Sequence, residues 1–365
     1  MEMEFQLVDP DRGDLVDGIL PLLEDLGEGG TTAPAEATIK PEVFQCTVEV
    51  VSPPAADLAE LEAALRPRLR ELLDRCRRLG MAVCGAGSHP FSRRPALFTP
   101  GRRYRAMARG AGWLGHNQVT FATHVHLGLE DGEEAVRLMA EISPYLPLLI
   151  ALSASSPFWH GTDTRFASFR PRVLAATRSF GPPPEFHHWI DFERFFATMR
   201  RAGLLQGLRD LHWDLRPRPD LGTLEVRVMD AQPSLAKALA LAALLRTLAR
   251  FLQRTRGSGE GERPLQKLFW WFQKENAYGA SRFGLEARLI VSDEGEVAPL
   301  RQVVRSTLQR IAPHVEPGEG PHLERLERTI ASGLPYENQR RRYASTGSMN
   351  AVVRALVEEL RDDLA

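Results

Sequence analysis

Four segments of this 365-residue chain alternate apolar and polar residues with a period of two. That period is typical of a β-strand with one face buried and the other face in a different environment. The segments are MEMEFQLVDP (1–10), EVFQCTVEVV (42–51), QVTFATHVHLGLE (118–130) and GTLEVRVMD (222–230). Strands of an antiparallel sheet packed on helices have such one-sided apolar faces. The pattern therefore predicts a sheet of this kind.

The rest of the chain supplies the helices. An amphipathic helix is predicted over 57–80, because it begins at an Asp and ends at a Gly. Further predicted helices are 133–155, 191–202, 234–255, 263–277, 298–313, 321–332 and 348–364. Short strands are predicted over 81–87, 211–217 and 285–291, and loops over 25–41, 157–188 and 257–263. Strands and helices do not alternate as in a doubly wound sheet. We therefore expect one α+β domain over 1–365, mostly helical from about residue 234.

Charge and composition exclude several classes of function. Lys plus Arg is 46 and Asp plus Glu is 47, so nothing favours a nucleic-acid or acidic-membrane surface. Three cysteines are too few for a disulfide framework or a zinc cluster and suggest reduced thiols. We find no signal peptide and no run of about 18 apolar residues. These features predict a cytoplasmic protein without a membrane span.

The polar faces of the four strands carry residues with metal-binding chemistry. They are Glu2, Glu4, Glu49, His124, His126, Glu225 and Arg227. If these faces share one sheet, four carboxylates lie together, and like charges in a cluster raise one another's pKa. A divalent cation removes that conflict, and oxygen ligands with an imidazole suit Mg²⁺ or Mn²⁺. Mg²⁺ held by carboxylates usually also holds phosphates, which points to nucleotide-dependent phosphoryl chemistry.

Each of these features also has a structural interpretation. A polar strand face is often only solvated, and a His-x-His pair often packs without binding anything. In SSPFWHGTDTRFASFR (155–170), Arg165, Arg170 and Asp163 would bind a substrate's carboxylate and ammonium groups, or would form local ion pairs on a loop. Arg216 either faces phosphate or pairs with Asp214. CGAGSHP (84–90) lacks the spacing and Lys of a phosphate-binding loop.

Seven motifs, taken together and in order, resemble the carboxylate–amine ligase family, also called glutamate–cysteine ligase type 2. The resemblance extends from residue 1 to about residue 360. The motifs are MEMEFQLVDP, EVFQCTVEV, AGSHPF, THVHLGL, SASSPFWHGTDTRFASFR, WDLRPRPDLGTLEVRVMD and NQRRRYASTGSMNAVV.

The resemblance implies a glutamine-synthetase-like fold, in which a curved antiparallel sheet holds ATP and two or three Mg²⁺ ions on its concave face. It implies that the metal ligands are Glu2, Glu4, Glu49, His124 and Glu225. By the same resemblance, His126 would lie near the nucleotide phosphates, Arg227 would be catalytic, and Tyr104 and Met107 would help to form the amino-acid pocket. Three arginines are added as candidates from their own sequence positions: Arg170 as catalytic, and Arg216 and Arg282 as nucleotide-binding.

The reaction implied is phosphorylation of a carboxylate by ATP, in family terms the γ-carboxylate of glutamate, followed by attack of an amine. The family resemblance also implies small-molecule substrates and a homo-oligomeric protein, specifically a dimer. Two rival functions remain open from the residues alone. One is a metal-dependent hydrolase that uses His-x-His without nucleotide, and the other is a non-catalytic sensor of nucleotide or amino acid. The identity of the amine also remains open.

Overall fold

The predicted strands come together in one large antiparallel sheet. The computed structural model describes residues 1–27, 36–177, 179–256 and 265–365. The strands are β1 (Glu2–Val8), β2 (Thr38–Pro41), β3 (Thr47–Val51), β4 (Ala82–Cys84), β5 (Thr123–Gly128), β6 (Phe158–Trp159), β7 (Thr162–Asp163), β8 (Leu215–Arg218), β9 (Thr223–Val226), β10 (Arg288–Ile290) and β11 (Val297–Pro299). The large sheet has the order β2-β3-β1-β5-β9-β8, and β4 pairs with the end of β1. β6 pairs with β7 and β10 with β11 in two small hairpins.

Helices surround the sheet and account for most of the chain after β9. They are α1 (Ile19–Leu26), α2 (Leu58–Arg78), α3 (Arg102–Asn117), α4 (Gly132–Ile142), α5 (Leu146–Ser153), α6 (Arg170–Leu174), α7 (Trp189–Arg201), α8 (Leu235–Thr255), α9 (Trp270–Phe283), α10 (Leu300–Ile311), α11 (Gly320–Ser332), α12 (Pro335–Thr346) and α13 (Met349–Leu364). The combination of one antiparallel sheet with separate helices is the α+β class predicted from the sequence.

One face of the sheet is buried against helices, as the alternation predicts. Met3, Phe5 and Leu7 of β1 belong to the main hydrophobic core. α2 supplies a leucine stripe to this core, because its buried residues recur with helical spacing; they are Leu58, Leu61, Leu65, Leu69, Leu72 and Cys76. The side chain of Asp57 caps α2 by accepting a hydrogen bond from the Glu60 backbone N–H at 2.8 Å. α8 is apolar on nearly every side and lies within the same core.

The single helix predicted over 133–155 is two helices in the structure. α4 ends at Ile142 and α5 begins at Leu146, with one 3₁₀ turn between them. Pro144 lies in that turn, and proline cannot continue an α-helix because it lacks the N–H donor. By length and composition, Gly132–Ser153 is nonetheless a candidate membrane span, which the sequence analysis did not anticipate, and 78% of its apolar window is buried in this fold.

Several predicted boundaries were wrong. α1 and α3 were not predicted, and β2 lies in the predicted loop 25–41. The helix predicted over 263–277 begins at Trp270 and extends to Phe283. β3 and β9 are shorter than their alternating patterns, since five and four residues respectively pair as strand. The predicted loop 257–263 lies outside the described residues.

Candidate active site

The strand register brings the predicted polar residues onto one face of the sheet. In an antiparallel ladder, residues directly opposite each other point to the same side. The opposed pairs are Glu4 with Glu49, Glu2 with His124, and Glu225 with both His126 and Arg216. The adjacency that the sequence argument had to assume is therefore present in the fold.

Glu2, His124 and Glu225 form a first group that could hold a metal ion. His124 Nδ1 lies 3.1 Å from Glu2 Oε2 and 3.8 Å from Glu225 Oε1. Burial lowers the pKa of His124 to about 4, and the positive charge of Arg227 adds to this effect, so the imidazole is neutral at neutral pH. A neutral imidazole has a lone pair available on one ring nitrogen, and this is the form that binds metal ions.

Glu4, Glu49 and His124 form a second group of the same kind, which shares His124 with the first. Burial, with the charge of Glu42 added, raises the pKa of Glu4 to about 8. The pKa of Glu49 is raised well above its usual range by burial and by the charges of Glu2, Glu42 and Glu4. These carboxyls therefore retain protons at a pH where exposed carboxyls have lost them, because burial and neighbouring carboxylates outweigh the positive charges of Arg170, Arg227 and Lys40.

The donor set of these two groups fits divalent cations. Carboxylate oxygens predominate and one imidazole accompanies them, which is the chemistry of Mg²⁺ or Mn²⁺ sites. His124 Nε2 is buried and has no hydrogen-bond partner within the described part of the chain. Leaving a buried polar atom without a partner costs free energy, and a bound cation would give this nitrogen a partner. A cation in this region would relieve the repulsion among the carboxylates.

Three guanidinium groups surround the Glu225 carboxylate. Arg216 donates two hydrogen bonds, from Nε at 2.8 Å and from Nη2 at 3.0 Å, and Arg227 also donates to it. Arg218 Nη1 lies 3.5 Å away. Burial alone would raise the pKa of Glu225, but the charges of Arg227 and Arg216 outweigh it and hold this pKa well below the usual range. Arg216 thus pairs with Glu225, and the alternative partner Asp214 was the wrong one.

Arg170 is held at the cavity by a buried serine–aspartate network. The Asp230 carboxylate accepts hydrogen bonds from the Ser156 hydroxyl at 2.7 Å and the Ser168 hydroxyl at 2.9 Å. Ser156 Oγ in turn accepts from the backbone N–H of Arg170 at 3.1 Å. Arg170 Nη1 donates to the backbone carbonyl of Arg227 at 3.3 Å. Ser168 and Arg170, which belong to the irregular segment predicted over 157–188, are therefore held by hydrogen bonds to Asp230, Ser156 and Arg227.

The polar face of the sheet borders a cavity of about 1000 Å³. At one end of β3, the lining comes from Glu42 and from Tyr104 and Met107 on α3. At the other end, it comes from residues 52–58 and from α8, including Arg246. The space is large enough for a nucleotide and a second small molecule, since ligand pockets typically measure about 300–1,000 Å³.

Eight of the ten predicted site residues line this cavity, namely Glu2, Glu4, Glu49, His124, His126, Arg170, Arg216 and Arg227. Glu225 is fully buried and contacts several of them. Arg282 does not line it: the guanidinium stacks on Phe166 and Phe283, with its carbon 5.1 and 5.4 Å from the ring centres. The prediction that Arg282 contacts the nucleotide is therefore not supported by its position.

The other two loop candidates, Asp163 and Arg165, do not line the cavity either. Asp163 pairs with Arg340 of α12 at 2.7 Å, which is an ion pair between distant parts of the chain and not one within the loop. The sequence analysis missed Glu42, Arg103 and His212, which all line the cavity. Glu42 precedes the paired part of its strand, where alternation no longer predicts direction.

Comparison with known proteins places these features in context. The sequence profile of Glutamate-cysteine ligase family 2 (GCS2) matches residues 1–355. A protein of Trichormus variabilis, provisionally named glutamate–cysteine ligase 2, is 43% identical over 366 residues, which cover 100% of this chain and 93% of that relative. A Thermobifida fusca protein with the same provisional name is 34% identical over 363 residues, covering 99% of this chain and 90% of that one.

The fold is also shared with a solved structure. The crystal structure of glutamate–cysteine ligase from Francisella tularensis, in complex with AMP, superimposes with a TM-score of 0.68 at 14% identity. The match covers 100% of this chain and 91% of that one. At this identity the likeness concerns the fold, and it confirms the predicted α+β architecture.

Proposed function

The chain belongs to glutamate–cysteine ligase family 2, a family of ligases that form C–N bonds, and we propose that it joins a carboxylate to an amine with ATP and Mg²⁺. The proposed acid is the γ-carboxylate of glutamate, and the proposed acceptor is the amine of an amino acid. The observation that carries this proposal is the buried cluster of Glu2, Glu4, Glu49 and Glu225 around His124, bordered by arginines. Such a cluster is suited to cations and phosphate together.

The two groups of acidic residues would hold the cations. Glu2, His124 and Glu225 would bind one ion, and Glu4 and Glu49 with His124 would bind another. Bound Mg²⁺ or Mn²⁺ supplies positive charge that neutralises phosphate oxygens during transfer. The nucleotide phosphates would contact His126 and Arg216, which both line the cavity.

Arg227 and Arg170 would act on the reacting groups. Arg170 is buried at the cavity and the Arg227 side chain is only 15% exposed, so their charge acts in an environment with little water to screen it. They would stabilise the transferred phosphoryl group and then the oxyanion that forms when the amine attacks. Glu225 holds Arg227 in place through its hydrogen bond, so the arginine is oriented before substrates arrive.

The proposed reaction proceeds in two steps. In the first, a carboxylate oxygen of the acid attacks the γ-phosphorus of ATP, which gives an acyl phosphate and ADP. In the second, the amine attacks the acyl carbon, a C–N bond forms, and the C–O bond to phosphate breaks. The products are an amide, ADP and phosphate. No covalent bond to a protein side chain is required.

The test is ADP release with ATP and Mg²⁺ across a panel of carboxylic acids crossed with amines, glutamate and cysteine included. Glu49→Gln and Glu225→Gln are measured beside the wild type, with Glu294→Gln on the surface as a matched control. We expect turnover that requires both an acid and an amine, and that is lost in the two site variants but not in the control.

Other outcomes would contradict the proposal in different ways. ATP binding without turnover for any pair would favour a nucleotide sensor. Hydrolysis of a substrate in the absence of nucleotide would favour a metal-dependent hydrolase. ADP release that needs an acid but no amine would show carboxylate activation without ligation.

A further inference from the structure

His212 and Ser179 form a hydrogen-bonded pair on the cavity wall that the proposed chemistry leaves without a role. His212 Nδ1 lies 3.0 Å from Ser179 Oγ, and Ser179 Oγ donates to the backbone carbonyl of Asp210 at 3.2 Å. A hydroxyl group has one proton to donate. With that proton directed at the Asp210 carbonyl, we assign the Nδ1–H of His212 as the donor to Ser179. The other ring nitrogen, Nε2, then has an unprotonated lone pair.

The backbone holds this pair in position. Residues on both sides of the pair are tied together, since Gly181 and Trp213 form a parallel bridge and the Asp214 N–H donates to the Gly181 carbonyl at 2.8 Å. Trp213 is buried against Phe186 and Phe195. The imidazole therefore projects from a rigid support, as a group that transfers protons in a defined direction requires.

His212 lies on the cavity wall shared with α3 and Arg227. Arg103 and Tyr104 of α3 line the same cavity as His212. Burial and the charges of Arg227, Arg216 and Arg103 together lower the pKa of His212 to about 4, while Asp210 acts in the opposite direction. The ring is therefore neutral in the ligand-free protein. Phosphates and carboxylates bound to these arginines would offset their charge and raise this pKa towards neutrality, where a base is most effective.

We propose that His212 is the proton acceptor for the attacking amine, and that Ser179 positions its ring by fixing the Nδ1–H tautomer. This inference rests on the proposed ligase function. An amino-acid amine arrives as an ammonium ion, which has no lone pair for attack. One of its protons passes first to His212 Nε2, and the freed lone pair then forms the C–N bond at the acyl phosphate. A second proton leaves with the departing phosphate, and His212 then returns its own proton to water.

The three guanidiniums around His212 give this step a physical reason. The positive charges of Arg227, Arg216 and Arg103 disfavour an ammonium ion near His212, although Glu225 pairs with the first two, so an amine is bound better there once it has lost a proton. A neutral base that faces the same space removes that barrier. General bases of this type typically contribute about 100-fold to 10,000-fold in rate.

The test compares two acceptors in His212→Gln and the wild type, with glutamate, ATP and Mg²⁺. One acceptor is cysteine, which is an ammonium ion at neutral pH, and the other is hydroxylamine, which is already unprotonated. With cysteine at pH 7, we expect kcat to fall by about 100-fold or more in the variant. With hydroxylamine, we expect the variant to form the hydroxamate about as fast as the wild type.

The pH dependence gives a second measurement. In His212→Gln, the rate with cysteine should rise steadily with pH as free amine becomes available, whereas the wild-type rate should level off earlier. Ser179→Ala keeps the imidazole and should show the same selectivity for the acceptor with a smaller loss. His322→Gln on α11, which does not line the cavity, is the matched control and should behave as the wild type.

Several results would overturn the inference while leaving the ligase function intact. These are equal losses with both acceptors, no loss with either, or selective loss in Glu42→Gln with none in His212→Gln. Circular dichroism and ATP binding of each variant separate a folding defect from a catalytic one. If the wild type releases no ADP with any acid and amine of the panel, the proposed function itself fails, and this inference fails with it.

Discussion

Glu4 on β1 and Glu49 on β3 stand directly opposite each other across adjacent strands, and both belong to one potential cation-binding group. Each carboxyl has a raised pKa, because burial and neighbouring negative charges disfavour ionisation. In the metal-free protein, these two residues therefore make stability depend on pH in a specific direction.

The first prediction concerns pH and cation binding together. The folded protein holds protons on Glu4 up to a pKa of about 8, whereas the unfolded chain loses them near 4.5. Between these values the folded state binds more protons, so metal-free stability should fall as pH rises. Cation binding needs the ionised carboxylates. The Tm gain on replacing EDTA with Mg²⁺ should thus be larger at pH 8 than at pH 5.5. Glu49→Gln should shrink that gain, and an equal gain at both pH values in the wild type would contradict this account.

The second prediction concerns the buried ion pair of Arg216 and Glu225. Arg216→Met leaves the buried carboxylate with fewer partners, although Arg227 and Arg218 remain. Urea unfolding should show a loss of about 3 kcal/mol, the low end for breaking a buried pair. The matched control is Arg301→Met, which breaks the exposed pair with Glu286 and should cost less than about 1 kcal/mol. Similar losses of unfolding free energy in Arg216→Met and Arg301→Met would show that burial of an ion pair does not determine how much it stabilises the protein.

The third prediction concerns the close approach of Gly87 to Asp230. A Cβ at residue 87 would lie 2.5 Å from Asp230 Cγ, a distance that requires the carboxylate to move. Gly87→Ala should therefore cost about 1–3 kcal/mol in unfolding free energy, and it should reduce activity by disturbing the network that holds Arg170. At Gly207 a Cβ would meet nothing within 4 Å, so Gly207→Ala is the control. Unchanged stability of Gly87→Ala would show that Asp230 is not tightly held.

The fourth prediction distinguishes two arginines that the sequence assigned to the site. Arg227→Lys keeps a positive charge but loses the fixed guanidinium geometry, so ADP release should fall by about 100-fold to 1,000-fold, as for loss of an oxyanion donor. Arg282→Ala should leave turnover unchanged, because this side chain stacks on Phe166 away from the cavity. A large loss of ATP affinity in Arg282→Ala would restore the original assignment.

The sequence predicted which face of a strand each side chain occupies better than it predicted which residues of other strands lie beside it. Alternation placed Glu2, Glu4 and His124 on one face, because a strand has a period of two whatever its neighbours are. The strand order that makes these residues adjacent comes from long-range pairing, which no local pattern specifies. Glu42 and His212 were missed for the same reason: they lie just outside the paired strands, where only tertiary contacts decide which way a side chain points.

Helix faces proved harder to assign than strand faces. Trp270 and Trp271 of α9 are 48% and 54% exposed, although large aromatic side chains usually pack inside. Arg282 lies on the same helix, α9, on a side that aromatic rings occupy. A helix of mixed composition does not indicate which of its sides will meet the sheet, since that depends on helices that arrive from elsewhere in the chain.

β5 pairs with β1 on one side and with β9 on the other, and this central position has a consequence for the order of events during folding. His124 lies 122 positions after Glu2 along the chain, and Glu225 comes later still. Contacts between such distant residues form slowly, because a long loop must close first. Cation binding should therefore appear late during refolding, after both pairings of β5 are complete, and its rate of appearance would report assembly of the central sheet.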